Sequence, residues 1–227
     1  MLFLVFPIHT AFQSGIIKIL LNSNLTCGAS IWGRSSMAIG PLSFTDRIPS
    51  RDECDELMAR YSMLPNIVAH SQQVMRVSLA ITDNLKNEVT INRDLVMAAA
   101  LLHDITKTRS LETRERHDQS GGELLRELGF ACVGEIVKQH VILLNFNPQE
   151  RLEEREIINY ADKRVMHDRI VSLTERVEDL IQRYGATEEI KNLIRQNEGQ
   201  AFAIERKIAD CMAIDVDSAI QRIQTGR

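Results

Sequence analysis

The chain has 227 residues, of which 44% are apolar, 26% charged and only 5% aromatic. That is the mixture of a globular domain with a sizeable core, and it excludes disordered, collagen-like and disulfide-rich classes. A net charge of −4 argues against a protein built to coat nucleic acid.

Residues 1–45 differ in kind from the rest, with Lys18 and Arg34 as their only charged side chains. Pro7, His9, Gln13 and Lys18 interrupt the apolar stretch from Met1 to Leu21, leaving it short of the roughly 18 uninterrupted apolar residues of a spanning helix. A basic start and a small-residue cleavage site are both missing, so a secretory signal is not expected. The segment reads as an atypical N-terminal extension, either poorly ordered or upstream of a working start at Met37. A targeting or membrane-contact role is the other reading.

Helical periodicity takes over after Pro49. Ser50 followed by Arg51, Asp52 and Glu53 has the form of a helix entry, a capping residue with acids in the first turn. Pro65 suits the first turn of the next helix, because its missing N–H would be unpaired there anyway. Along that helix Ile67, His70, Val74, Val77 and Ile81 share one face. Asn92 can cap a third helix that runs through Leu95 and Met97 to Leu102 and ends near His103–Asp104; apolar nearly all round, it should be central. Lys107 to Arg116 reads as a polar loop, and a helix from about Asp118 to Leu128 is closed by Gly129.

Val133, Ile136, Val137, His140 and Leu144 trace a further stripe, and a helix beyond the Asn145–Pro148 break carries Ile158, Asp162 and Val165. Ile170, Leu173, Val177, Leu180 and Tyr184 form another stripe, capped by Asp168 and stopped by Gly185. Residues 187–224 predict one or two more amphipathic helices. Little alternates with period two, so the fold class is all-α, a bundle of about seven to nine helices. The organisation expected is an extension over 1–45, a core over 46–185, and C-terminal helices over 186–227 that pack on it. Cys27, Cys54, Cys132 and Cys211 form no CxxC pair, which predicts neither a thiolate zinc site nor a disulfide framework and fits a cytoplasmic location.

The anomaly lies in where the polar ligand types fall. His70 and His140 lie on faces otherwise made of Ile and Val, His103 ends the most apolar helix, Asp104 follows it, and Asp162 shares a stripe with Ile158 and Val165. Singly, each has an ordinary explanation. A histidine on an apolar face is more often a hydrogen-bonded core residue, Asp162 could pair with an arginine, and His-Asp also occurs at 117–118 and 167–168. Together they point elsewhere, because carboxylates on core-facing stripes need partners. A divalent cation satisfies imidazole and carboxylate at once.

These residues resemble the HD-domain metal-dependent phosphohydrolases, close to the subgroup with an HDIG-like motif. The resemblance rests on His70 in NIVAHSQQV, His103–Asp104 in AAALLHDITK and Asp162 in NYADKRV, and covers roughly residues 50–185. It implies an all-helical fold and one or two divalent metal ions, with Mn, Fe, Co, Ni, Mg and Zn all candidates. One ion would take His70, His103, Asp104 and Asp162. His117 and His140 match histidine positions of binuclear members, and would hold a second ion with Asp104 bridging. The motif ends in Thr106 where the subgroup has Gly. Val141 follows His140 and no GYP motif is present, so a cyclic-dinucleotide phosphodiesterase is not expected. No Glu-Asp pair follows His103–Asp104, which argues against an alarmone hydrolase.

The activity implied is hydrolysis of a phosphoester by a metal-activated water, since a bound divalent ion acidifies water and polarises a phosphoryl oxygen. Asp104 and Lys107 are the expected catalytic residues. Charge on the phosphoryl oxygens needs cations besides the metal, and Lys107, Arg164, Arg114 and Arg116 are the candidates. A nucleotide or small phosphorylated metabolite is the expected substrate, with neither nucleic acid nor membrane as partner and homo-oligomer formation left open. The competing readings are a catalytically silent regulatory domain that binds metal or nucleotide, and metal-dependent oxygenation on the same ligands.

Overall fold

Capping chemistry starts the first helices where the sequence places them. In the computed structural model, which describes residues 47–225, Ser50 and Glu53 form a reciprocal capping box on α1 (Arg51–Arg60). Pro65 occupies the first turn of α2 (Pro65–Thr82). The side chain of Asn92 accepts from the Leu95 N–H to cap α3 (Arg93–Leu102). The expectations for residues 1–45 lie outside the described residues.

Helix α3 is the central element. Val96 and the run from Ala98 to Leu102 are wholly buried, and α3 packs against α1, α2, α6 (Ala131–Val137) and α7 (Glu154–Lys163). Its three consecutive alanines present no bulk, so these neighbours approach closely enough for side chains at their ends to meet. Between α3 and α6 the chain forms α4 (Lys107–Thr113) and α5 (His117–Glu127). The expected polar loop is therefore a seven-residue helix ended by Arg114 in the left-handed conformation, with only a short connection before α5. Its polarity is that of an exposed helix face, not of irregular chain. Gly129, at φ 86°, closes the turn after α5 as expected.

Helices α5 and α6 pack on each other through glycines: a Cβ at Gly134 would come within 2.5 Å of the Gly122 carbonyl oxygen. Helix α6 ends at Val137, and Leu144 lies beyond it 58% exposed, so the expected stripe through His140 and Leu144 does not continue as helix. After α7 comes a small antiparallel hairpin, β1 (Val165–Met166) and β2 (Arg169–Ile170), with Val165 opposite Ile170. His167 and Asp168 form its turn. The next helix, α8 (Leu173–Tyr184), starts later than expected and is capped by Ser172 with Glu175, not by Asp168.

Two C-terminal helices, α9 (Glu188–Cys211) and α10 (Val216–Thr225), complete the described residues. Ile204, Ile208, Ala219 and Ile220 join the common core. A buried ion pair between Lys207 and Glu156, at 2.8 Å, ties α9 to α7. Among the described residues, no helix is long and apolar enough to cross a membrane.

Candidate metal centre

Six side chains converge on one point from five parts of the fold. His70 comes from the middle of α2, His103 is the C-cap of α3, and Asp104 follows it. His117 is the first residue of α5, His140 lies in the turn after α6, and Asp162 is the penultimate residue of α7. Fully buried Asp104 is the hub. Its Oδ2 is 3.3 Å from His103 Nε2 and 4.0 Å from His70 Nε2. Its Oδ1 is 3.2 Å from His117 Nε2 and 3.6 Å from His140 Nε2. Asp162 Oδ1 lies 2.9 Å from His70 Nε2 and 3.6 Å from His103 Nε2.

Backbone carbonyls settle which nitrogen of three of these rings faces the site. His70 Nδ1 donates to the His167 carbonyl at 2.8 Å, His103 Nδ1 to Ala100 at 2.8 Å, and His140 Nδ1 to Val137 at 2.7 Å. A carbonyl only accepts, so each Nδ1 carries hydrogen, and Nε2 is the inward nitrogen that would offer its lone pair to a cation. His117 Nε2 and His140 Nε2 then meet at 3.2 Å. Asp104 Oδ1 and His103 Nε2 are buried without a hydrogen-bond partner, a condition that buried polar atoms rarely tolerate. Lone pairs converging on unsatisfied carboxylate oxygen are what a divalent cation requires. His70, His103 and Asp104 form one group able to hold an ion, and Asp104, His117 and His140 form another.

The electrostatics agree with this assignment. Burial would raise the Asp104 carboxyl, but Lys107 and His103 outweigh it and hold the group well below its usual range. Burial likewise opposes ionisation of Asp162, and its close contact with His70 together with the charge of His103 overcomes it and holds the carboxyl low. Burial pushes His103 down, yet Asp104 and Asp162 bring it above the ordinary imidazole value. For His117 burial wins over Asp104, and the ring is shifted down.

The cations are arranged differently from the sequence-based expectation. Lys107 Nζ reaches Asp104 Oδ2 at 2.6 Å, at the edge of the site. Arg164 does not face the site: its guanidinium is buried among the Val171 carbonyl, the Tyr160 hydroxyl, Asp217 and Glu205. As the C-cap of α7 it turns away from Asp162 towards α9 and α10, so its expected substrate contact is corrected to a structural tie. Arg114 is exposed at the end of α4, and Arg116, also exposed, is paired with Asp118.

Three supporting residues escaped the sequence reading. The amide of buried Asn159 donates to the carbonyls of Gln139 and His140, at 3.1 and 2.9 Å, and so fixes the turn that carries His140. The backbone of His167 orients His70. The Thr106 hydroxyl donates to the His117 carbonyl at 2.9 Å. Only the departure from Gly at position 106 left a visible trace in the sequence.

The HD domain family matches residues 67–166, a span that contains all six converging side chains. The chain is also similar to a tRNA (cytidine(56)-2'-O)-methyltransferase of Picrophilus torridus, 28% identical over 144 residues. That match covers 56% of this chain and 40% of the relative, so the chain spans less than half the length of that protein. No solved structure matches. The family match and the histidine–aspartate cluster meet on the same residues: residues 67–166 of this chain match the HD domain family, and within that span lie the groups able to hold a metal ion.

Proposed function

We propose that this protein is a metal-dependent phosphohydrolase that cleaves a phosphoester of a nucleotide or small phosphorylated metabolite, using two divalent ions. The observation that carries the reading is the division of Asp104 between two imidazole pairs, with Oδ2 towards His70 and His103 and Oδ1 towards His117 and His140. A carboxylate shared in this way would let His70 and His103 hold one ion and His117 and His140 a second. Such ions supply a Lewis acid for the phosphoryl oxygen and an acidified water as nucleophile.

The residues of the chain supply the rest. Asp104 and Asp162, both held ionised, bring the negative charge that draws cations into a buried site. Lys107 adds a positive charge beside Asp104, where charge develops on the equatorial phosphoryl oxygens. Arg114 and Arg116, exposed at the α4–α5 connection, are proposed to meet outlying phosphates of the substrate. The acidic net charge favours a small phosphorylated partner over nucleic acid, and the cysteine usage favours the cytoplasm.

A second reading is favoured by the Picrophilus torridus relative, which is named for methyl transfer to tRNA and of which this chain matches 40%. Under that reading the HD domain binds metal and phosphate without turnover, in support of another activity. One experiment separates the two. Protein stripped with chelator is reconstituted in turn with Mn, Fe, Co, Ni, Mg and Zn, and phosphate release is followed over a panel of nucleotides, sugar phosphates and short RNA. Metal-dependent release that Asp104→Ala lacks supports the hydrolase. Bound metal with no release from any substrate supports the binding domain.

A further inference from the structure

Thr106 ends the metal motif, two residues beyond Asp104, and is 3% exposed. Its φ of −100° is open to any residue, so the backbone does not require glycine at this turn. What the threonine adds is a hydroxyl. It donates to the His117 carbonyl at 2.9 Å and pairs with the Ser120 hydroxyl at 3.0 Å. Both contacts fall in the first turn of α5, which has no side-chain cap on its N-cap residue Arg116. The hydroxyl therefore supplies a polar anchor for the end of α5 that carries His117, acting on a carbonyl and not on the N–H groups a cap would satisfy.

The surroundings make room for it. A Cβ at Gly121 would lie 3.3 Å from Thr106 Oγ1 and 3.3 Å from Val137 Cγ1. Glycine at 121 thus lets α5 approach both the Thr106 turn and Val137, whose carbonyl accepts from His140 Nδ1. One junction fixes the backbone of His117 on one side and the ring of His140 on the other. These are the two imidazoles whose Nε2 atoms meet at 3.2 Å.

We propose that Thr106 is a positioning residue for the second ion: its hydroxyl locks the start of α5 so that His117 Nε2 faces Asp104 Oδ1 and His140 Nε2. The inference rests on the two-ion reading above. Thr106 is not itself a ligand, and acts through the first turn of α5, at the His117 carbonyl and the Ser120 hydroxyl. The site formed by His70, His103, Asp104 and Asp162 does not depend on it, because those rings are oriented by the carbonyls of His167 and Ala100.

The test is calorimetric titration of chelator-stripped full-length protein with Mn²⁺, with ions counted by native mass spectrometry. Wild type should take two ions. Thr106→Val, which keeps the shape and removes the hydroxyl, should leave the first ion within about twofold and weaken the second about ten- to a hundredfold. Thr106→Ser should restore the second ion to within about threefold of wild type. Gly121→Ala keeps the hydroxyl but crowds it, with a Cβ 3.3 Å from Thr106 Oγ1, so it should also weaken the second ion selectively, and it covers the case in which Thr106→Val fails to fold. Equal affinity for the second ion in wild type and Thr106→Val, or equal weakening of both ions, would overturn the role of Thr106 while leaving two ions in place. A single ion in wild type would overturn the two-ion reading, and this inference with it.

Discussion

The two halves of the candidate metal centre use the same residue types and differ in their electrostatics. Around His70 and His103 there are two carboxylates for two imidazoles, and Asp162 stands 2.9 Å from His70. Around His117 and His140 the two imidazoles share one oxygen of Asp104 and face each other at 3.2 Å. The contrast shows in the rings themselves: His103 is shifted up by its two acids against burial, while burial shifts His117 down. The first half holds two carboxylates, one of them paired with Lys107, and so attracts a cation more strongly. The second holds lone pairs but little charge, and owes its attraction to the carboxylate it shares. Filling should therefore be sequential, the first half tight and the second weaker.

Asp104 is where the comparison can be broken most completely, since both halves depend on it. Asp104→Ala should lose both ions and cost more than about a thousandfold in phosphate release, with helical circular dichroism retained. An Asp104→Ala protein that still turns over would remove the basis of the site. The halves separate in the next pair of variants. Asp162→Ala should weaken the first ion, and His140→Ala should spare it while weakening the second about ten- to a hundredfold or more. Identical metal stoichiometry in these two variants would contradict the division drawn here.

A smaller effect sharpens the same contrast through pH. In the metal-free protein the raised His103 binds more protons folded than unfolded. Its contribution to stability is complete below the ordinary imidazole value of about 6.5 and is lost as pH rises through the raised folded value. The lowered His117 contributes with the opposite sign: its stability is present above about 6.5 and is lost as pH falls through the depressed folded value. Urea unfolding in chelator should show His103→Gln losing the decline on the alkaline side, and His117→Gln losing the decline on the acid side. Parallel pH profiles in the two variants would show that the halves are electrostatically alike.

How far the sequence disclosed this centre depended on the kind of signal each residue carries. His70, His103, Asp104, His140 and Asp162 were legible because a polar ligand type on an apolar stripe is an exception that periodicity exposes. The caps at Ser50 and Asn92 were legible because they are local chemistry, complete within four residues. Arg164 was misread because spacing from Asp162 says nothing about the partners waiting on the other side of α7. The Tyr160 hydroxyl, Asp217 and Glu205 claim its guanidinium from three different helices. The helix α4 was misread as loop because seven residues are too few to display an apolar stripe. The hairpin after α7 was hidden for a related reason, with two residues per strand and no alternation to detect. Asn159 gave no signal, because an asparagine acting on distant carbonyls looks like any other polar helix residue.

The smallest predicted effect concerns His167, and it separates two ways of holding a ligand in place. His117 is anchored through a side chain, the Thr106 hydroxyl, whereas His70 is oriented by a main-chain carbonyl, that of His167. A carbonyl survives any substitution that preserves backbone geometry. His167→Ala should therefore leave the affinity of the first ion within about twofold, in contrast to the loss expected when the Thr106 hydroxyl is removed. The φ of 60° at His167 adds a second expectation, since a non-glycine residue in the left-handed region carries steric cost. His167→Gly should relieve that cost and keep the carbonyl in place, so affinity for the first ion should again hold, with stability within about 1 kcal/mol of wild type as the relief is offset by greater freedom of the unfolded chain. Loss of the first ion in both variants would mean that the imidazole of His167 belongs to the site, and that the hairpin supplies a ligand instead of a support.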